Sequence, residues 1–447
     1  MLRALALGGA LALGGAAPAR AQPLPIAVER YRLPSGLTVL LHPDHRTPEV
    51  AVNLYLPVGS ADEQPARTGL AHLFEHLMFM GTRRVPQGEL DRLVEDGGGT
   101  ANASTSEDAT SYLDSGPSNL LPVFLYLEAD RLDALADEMT EGKLALQRDV
   151  VENERAKAYD NRPYGAAELR LPGALFPAGH PYHHPVIGAV ADLRAASVSD
   201  VRGFFRAHYV PRGAQLAIVG DFDPAAARAL VERWLGGFAG PPPPARAAAP
   251  PSPAPAAAAT LRLTDDVAAP LVLLAMPSPA ALAPGDAECE LLAAVLAGGR
   301  ASRLHRALVE GRGVLQSVEA EQHGMRLGGY LQIRALGRPG GDAAAIARAV
   351  EAELARLLVD PPDEVELRRA RAALSTERLS AIERHAELAE ELNRFEDLLG
   401  NAEELPRRLV ARYQAVTAPA LRRAAVGLLE ARPRVTVRVV PRRGRGR

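Results

Sequence analysis

A chain of 447 residues with 47% hydrophobic and 23% charged residues is a globular protein, too long for one core and suited to two domains of about 200 residues. A net charge of −3 leaves no basic excess to meet phosphates, which argues against nucleic acid as a partner. A single cysteine, Cys289, excludes an intramolecular disulfide; it lies in a helical pattern and receives no role.

The first elements in chain order form a leader. Arg3 supplies positive charge, Ala4 to Ala17 are apolar, and Ala19–Arg20–Ala21 fits a small-x-small cleavage rule. The expected signal peptide is 1–21, with Gln22 as the mature start and export to the periplasm, or secretion, as its consequence. The apolar run is too short to span a bilayer, and no later stretch of the mature chain is long enough.

Val52, Leu54 and Leu56 then alternate with Asn53 and Tyr55 as in a strand, which leads through Gly59–Ser60 to His72–Leu73–Phe74–Glu75–His76. On a helix His72 and His76 lie one turn apart on one face, so both imidazoles can grip one metal ion, with Glu75 close enough to act on a bound water. The order H-x-x-E-H is the inverted zincin pattern. A catalytic zinc needs a third protein ligand and one open position. Glu152 and Glu154 lie downstream, about 200° apart on a helix, so only one of the two can face the metal. His180, His183 and His184 sit in a Pro-rich stretch without helical spacing, which predicts a surface loop rather than a second metal site.

A helix around 199–205 precedes a buried strand at 215–221. The clearest seam follows, from Phe238 to Thr260, with Pro241–Pro244 and then alternating Ala and Pro; such a stretch is extended and semi-rigid. Beyond it, Leu271–Leu274 leads to a helix around 290–296, 364–399 is a long Glu/Arg/Ala/Leu-rich helical region with a solvated charged face, and a helix at 418–429 precedes a strand at 435–440. Strand then helix recurs in both halves. The expectation is an α+β fold of two homologous halves, each an antiparallel-rich sheet with helices packed on one face, joined by a Pro/Ala-rich linker. Its boundaries are 22–238 for the metal-bearing half, 239–260 for the linker, 261–441 for the second half and 442–447 for a basic, solvated tail.

His72-x-x-Glu75-His76, followed by Val150–Val151–Glu152–Asn153–Glu154, resembles the pitrilysin/insulinase family of inverted zincins, which includes the mitochondrial processing peptidase subunits. Gly97–Thr105, Asn161–Gly165, His180–Tyr182, Tyr209–Pro211 and Gly298–Leu304 extend the likeness over almost all of the mature chain. The resemblance implies a zinc metalloendopeptidase holding one Zn²⁺ on His72, His76 and Glu154, with Glu75 as general base. It also implies an extended peptide substrate held as an added strand along Asn102, Ala103, Ser104 and Thr105. Two positions depart from the family. A supporting glutamate is replaced by Gln147, a neutral amide that still hydrogen-bonds. In the second half the arginine and tyrosine that grip substrate are replaced by Val309 and Gln316. In heteromeric members one subunit holds zinc and a homologous partner holds the Arg/Tyr pair, so the departure points to the zinc subunit of an exported heteromeric peptidase. The alternatives are a self-sufficient homodimer in which the pair has drifted, and a structural or assembly subunit without chemistry.

Overall fold

The computed structural model describes residues 24, 26–248, 257–430 and 433–442. The expected leader, part of the expected linker, and the tail beyond Arg442 lie outside the described residues.

The first sheet is built from β1 (Glu29–Arg32), β2 (Thr38–Pro43), β3 (Glu49–Leu56), β4 (Thr100–Thr105), β5 (Thr110–Pro117) and β6 (Gln215–Gly220), in the order β1-β2-β6-β3-β5-β4. The second contains β7 (Ala259–Asp265), β8 (Leu271–Ser278), β9 (Leu315–Met325), β10 (Gly328–Gly337) and β11 (Val435–Pro441), in the order β7-β11-β8-β10-β9. Without β1 the two orders superpose strand for strand. Each has a single parallel pair at the same place, β2 with β6 and β7 with β11, and is otherwise antiparallel. The repeat suggested by the strand-then-helix pattern is therefore a repeat of topology. Ala259 and Thr260, expected in the linker, instead pair with Val435 and Thr436, because alternating side chains from Ala259 onward suit a sheet edge.

In the first half the helices are α1 (Leu70–Leu77), α2 (Glu89–Asp96), α3 (Leu121–Glu138), α4 (Glu141–Arg155), α5 (Gly165–Leu175), α6 (Val190–Ala195), α7 (Val198–His208) and α8 (Pro224–Leu235). Local chemistry starts them: Thr140 Oγ1 accepts from Lys143 N at α4, and Ser197 with Asp200 forms a capping box at α7. The second half holds α9 (Asp286–Ala297), α10 (Ala343–Val359), α11 (Glu364–Ala381), α12 (His385–Leu399), α13 (Leu405–Arg408), α14 (Ala411–Gln414) and α15 (Ala418–Leu429). The long helical region expected over 364–399 is two helices, broken at Ile382–Arg384, because α12 turns away to cover the other sheet.

Each sheet packs one face on helices of its own half, where the main cores lie. Its other face is covered by a helix from the opposite half. Leu388, Ala389, Leu392 and Phe395 of α12 pack on Leu40, Ala51, Ala217 and Val219 of the first sheet. Reciprocally, Ala167, Leu171 and Leu175 of α5 pack on Leu271, Leu273, Val437 and Val439 of the second. This exchange explains why Asn53, on the non-core side of β3, is fully buried: its side chain and carbonyl accept from Asn393 Nδ2 at 2.7 and 2.9 Å. It also means that only one face of α12 is solvated.

The candidate metal centre

Helix α1 begins at Gly69, whose φ of +86° suits only glycine, and whose missing side chain lets Ile187 and Gly188 approach; Gly188 in turn lies so close that a Cβ would stand 2.4 Å from Gly69 Cα. No Ser, Thr or Asp occupies the cap position. Glu63 supplies the acceptors from a distance instead, taking Gly69 N at 2.8 Å and Ala71 N at 2.7 Å, with Leu70 N also donating. Asp192 fixes the preceding residue, accepting from Thr68 N and Oγ1 at 3.1 and 2.6 Å. Leu70, Leu73, Phe74 and Leu77 bury the helix in the first core. That leaves His72, Glu75 and His76 on the side facing α4.

From α4, Glu154 reaches across to both histidines. Its Oε1 lies 3.6 Å from His72 Nε2 and its Oε2 3.1 Å from His76 Nε2. Glu152 points elsewhere and takes Arg194 in a two-pronged ion pair at 2.8 and 2.6 Å. The three donor atoms of His72, His76 and Glu154 lie within 4.8 Å of one another, the sole such cluster of His, Cys, Asp and Glu among the described residues. Donors bound to zinc at about 2.0–2.2 Å in a tetrahedron stand roughly 3.3–3.6 Å apart, and two imidazole nitrogens with one carboxylate are a zinc donor set. The residues fit the metal.

The electrostatics suit the same use. Burial pushes the His72 imidazole down to about 4, so it stays neutral, as a metal ligand must be. For His76 burial pulls down most strongly of any one cause, but the hydrogen bond to Glu154 and the charges of Glu154 and Glu75 together push it up. That same bond holds the Glu154 carboxyl below its ordinary value. Burial raises Glu75, against the hydrogen bond that Thr105 Oγ1 donates to its Oε2 at 2.5 Å. Gln147 hydrogen-bonds His76, while its Nε2 lies 2.8 Å from Met80 Sδ. A neutral amide thus occupies the position expected to support the site. The His72 Nδ1 is buried without a protein acceptor.

Thr105 ends β4, the edge strand of the first sheet, which among the described residues pairs only with β5. Asn102 and Ser104 are exposed, while Ala103 packs on the core and Thr105 turns toward Glu75. An unpaired strand edge therefore runs up to Glu75. Val309 is half-buried against the second core and Gln316 is exposed on β9. The expectation of a surface loop at His180–His184 is corrected. His180 is 4% exposed and stacks on Phe176, with ring centroids 4.6 Å apart, and Phe176 and Tyr182 belong to the cluster beneath the second sheet. The prolines correctly mark a loop, but the other half buries it. Sequence reasoning missed Glu63, since no periodicity links a carboxylate to a helix that starts seven residues later.

Residues 38–179 match the family described as Insulinase (Peptidase family M16), and residues 195–374 match the Peptidase M16 inactive domain. The chain belongs to the M16 peptidase family, and the ligand cluster falls in the first of these segments. It is similar to the zinc protease PqqE of Helicobacter pylori (strain ATCC 700392 / 26695), 34% identical over 194 residues, an alignment that spans 43% of each chain. Among solved structures it resembles a protease from Helicobacter pylori, with a TM-score of 0.86 and 25% identity over 93% of this chain and 100% of that one. The periplasmic protease PqqL from Escherichia coli shares the fold, with a TM-score of 0.74 and 21% identity, over 94% of this chain and 48% of that one. No helix among the described residues is long and apolar enough to cross a membrane.

Proposed function

We propose that this chain is a zinc metalloendopeptidase that cleaves extended or unfolded peptides, and that it is the zinc-bearing subunit of an exported heteromeric peptidase. The observation that carries the reading is the convergence of His72, His76 and Glu154 beside Glu75, at the end of an unpaired strand edge. Its membership of a peptidase family and a relative named as a zinc protease support it.

His72, His76 and Glu154 would hold the ion, one per chain. A bound zinc would supply Lewis acidity, making water a nucleophile near neutral pH and polarising the scissile carbonyl. Glu75 takes the proton from the attacking water and passes one to the leaving amine. Thr105 holds the Glu75 carboxylate while that happens, its hydrogen bond favouring the charged, proton-accepting form. The β4 edge from Asn102 to Thr105 pairs with the substrate backbone, which selects extended chains over folded ones.

Val309 offers no donor and Gln316 no phenol, so the second half of this chain cannot supply an Arg/Tyr grip at those positions. A homologous companion carrying that pair would. Export is supported by the leader pattern over 1–21 and by the periplasmic description of PqqL. The test is turnover of unfolded peptides by the zinc-loaded chain, alone and with a homologue that lacks H-x-x-E-H but carries Arg and Tyr at the matching positions. Turnover only in the mixture supports the heteromer; full turnover alone supports the homodimer; zinc binding without turnover in either case supports a structural subunit.

A further inference from the structure

The turn Ser106–Ala109 joins β4 to β5, so it lies at the tip of the hairpin whose Thr105 touches Glu75. Two sides grip it. From the first half, Ser60 N and Ala61 N donate to the carbonyls of Ser106 and Glu107 at 3.2 and 2.8 Å. Gly59 permits that approach, since a Cβ there would stand 2.4 Å from the Ser106 carbonyl oxygen. On the other side everything converges on Asp108. Its Oδ1 accepts from Tyr182 Oη at 2.6 Å, and its Oδ2 accepts from the backbone N of Arg326, in the β9–β10 turn, at 2.8 Å. Tyr182 Oη itself accepts from Leu327 N at 2.9 Å. Arg246 donates to the Asp108 carbonyl at 2.7 Å and to Asp397 of α12 at 2.5 Å, and Arg326 Nη1 donates to the Ala247 carbonyl at 3.0 Å. The Asp108 carboxylate thus ties the hairpin to the 176–188 loop and the second half, and its main-chain carbonyl ties it to the segment that connects the halves.

Holding the halves together does not require this clamp, because the exchanged helices α5 and α12 already bury two apolar clusters between them. Its place is what matters: three residues from Thr105, at the end of the unpaired edge. We infer that Asp108 is a positioning residue, through which the second half fixes the register of β4 and so the Thr105 contact that orients Glu75. The inference rests on the peptidase reading for its kinetic consequence, but not for its mechanical one.

The test compares Asp108→Asn with Arg30→Met in the full mature chain, assayed with its companion if one is required. Asn is nearly isosteric, but its amide nitrogen would face the Arg326 N–H or the Tyr182 hydroxyl in place of a charge. Arg30→Met removes a different bond between the halves, the ion pair with Glu396 at 2.6 Å, without touching the hairpin. For Asp108→Asn, amide exchange over 100–110 should rise about tenfold or more while that of 70–77 is unchanged. Zinc content should stay at one per chain, and kcat should fall about 10–100-fold with a smaller change in KM. Arg30→Met should leave exchange at the hairpin and kcat as in the wild type. Unchanged exchange at 100–110, or raised exchange with unchanged kcat, would overturn the inference, as would an equal loss of kcat in Arg30→Met. A wild type without turnover on any peptide overturns the peptidase reading instead, and the exchange comparison then decides the clamp by itself.

Discussion

Glu75 draws its behaviour from its neighbours: burial raises its pKa, Thr105 holds one oxygen, and the ligand cluster stands one residue along the helix. Replacing it with Gln keeps the shape and the proposed ligands but removes the proposed base. Glu75→Gln should lower kcat by about 10²–10⁴-fold, with zinc still bound at one per chain by metal analysis. His76→Ala should lose both zinc and turnover, and chelation of the wild type should abolish activity that added zinc restores. Retention of zinc by His76→Ala would remove it from the ligand set. Glu63 acts one step further out. Glu63→Ala leaves the N–H groups of Gly69, Leu70 and Ala71 without their acceptor, and should cost about 2 kcal/mol in urea unfolding and speed zinc loss. His72, Glu75 and His76 were legible because H-x-x-E-H spacing is a local rule of the helix, whereas helix geometry left Glu152 and Glu154 open and only the family resemblance pointed to Glu154. Glu63 was not legible, because its partnership depends on where a loop returns in space.

At the scale of elements, most strands and helices follow from alternation and caps, and α1, α7, α15, β6 and β11 form where periodicity places them. What the pattern cannot carry is which neighbour an element packs against. The 364–399 region has continuous helical composition, yet it breaks at Ile382–Arg384 so that α12 can reach the first sheet. The His180–His184 loop reads as exposed by composition and is buried by the other half. The exchange predicts a measurable coupling. Phe395→Ala, in α12, removes a ring buried against β-strands of the first half, and should cost about 3–5 kcal/mol. The loss should appear in amide exchange of β3 and β6 as well as in α12. A change confined to α12 would contradict the packing.

For the whole molecule, duplicated topology and unequal chemistry belong together. Apart from β1 both sheets share one strand order, yet among the described residues the ligand cluster occurs once, on α1 and α4, while the corresponding helices of the second half, α9 and α11, carry no H-x-x-E-H. A duplicated half freed from metal binding can serve substrate, but Val309 and Gln316 leave it without the expected grip. The duplication was legible as recurring strand-then-helix order. The helix exchange was not, since it lies in contacts far apart in sequence. The most direct measurement is turnover of an unfolded-peptide library by the zinc-loaded chain from Gln22 onward, alone and with the Arg/Tyr-bearing companion, with Glu75→Gln as the blank. Turnover that requires the companion and vanishes in Glu75→Gln is the predicted result. Equal turnover by wild type and Glu75→Gln, or none in any mixture while zinc stays bound, would contradict the account.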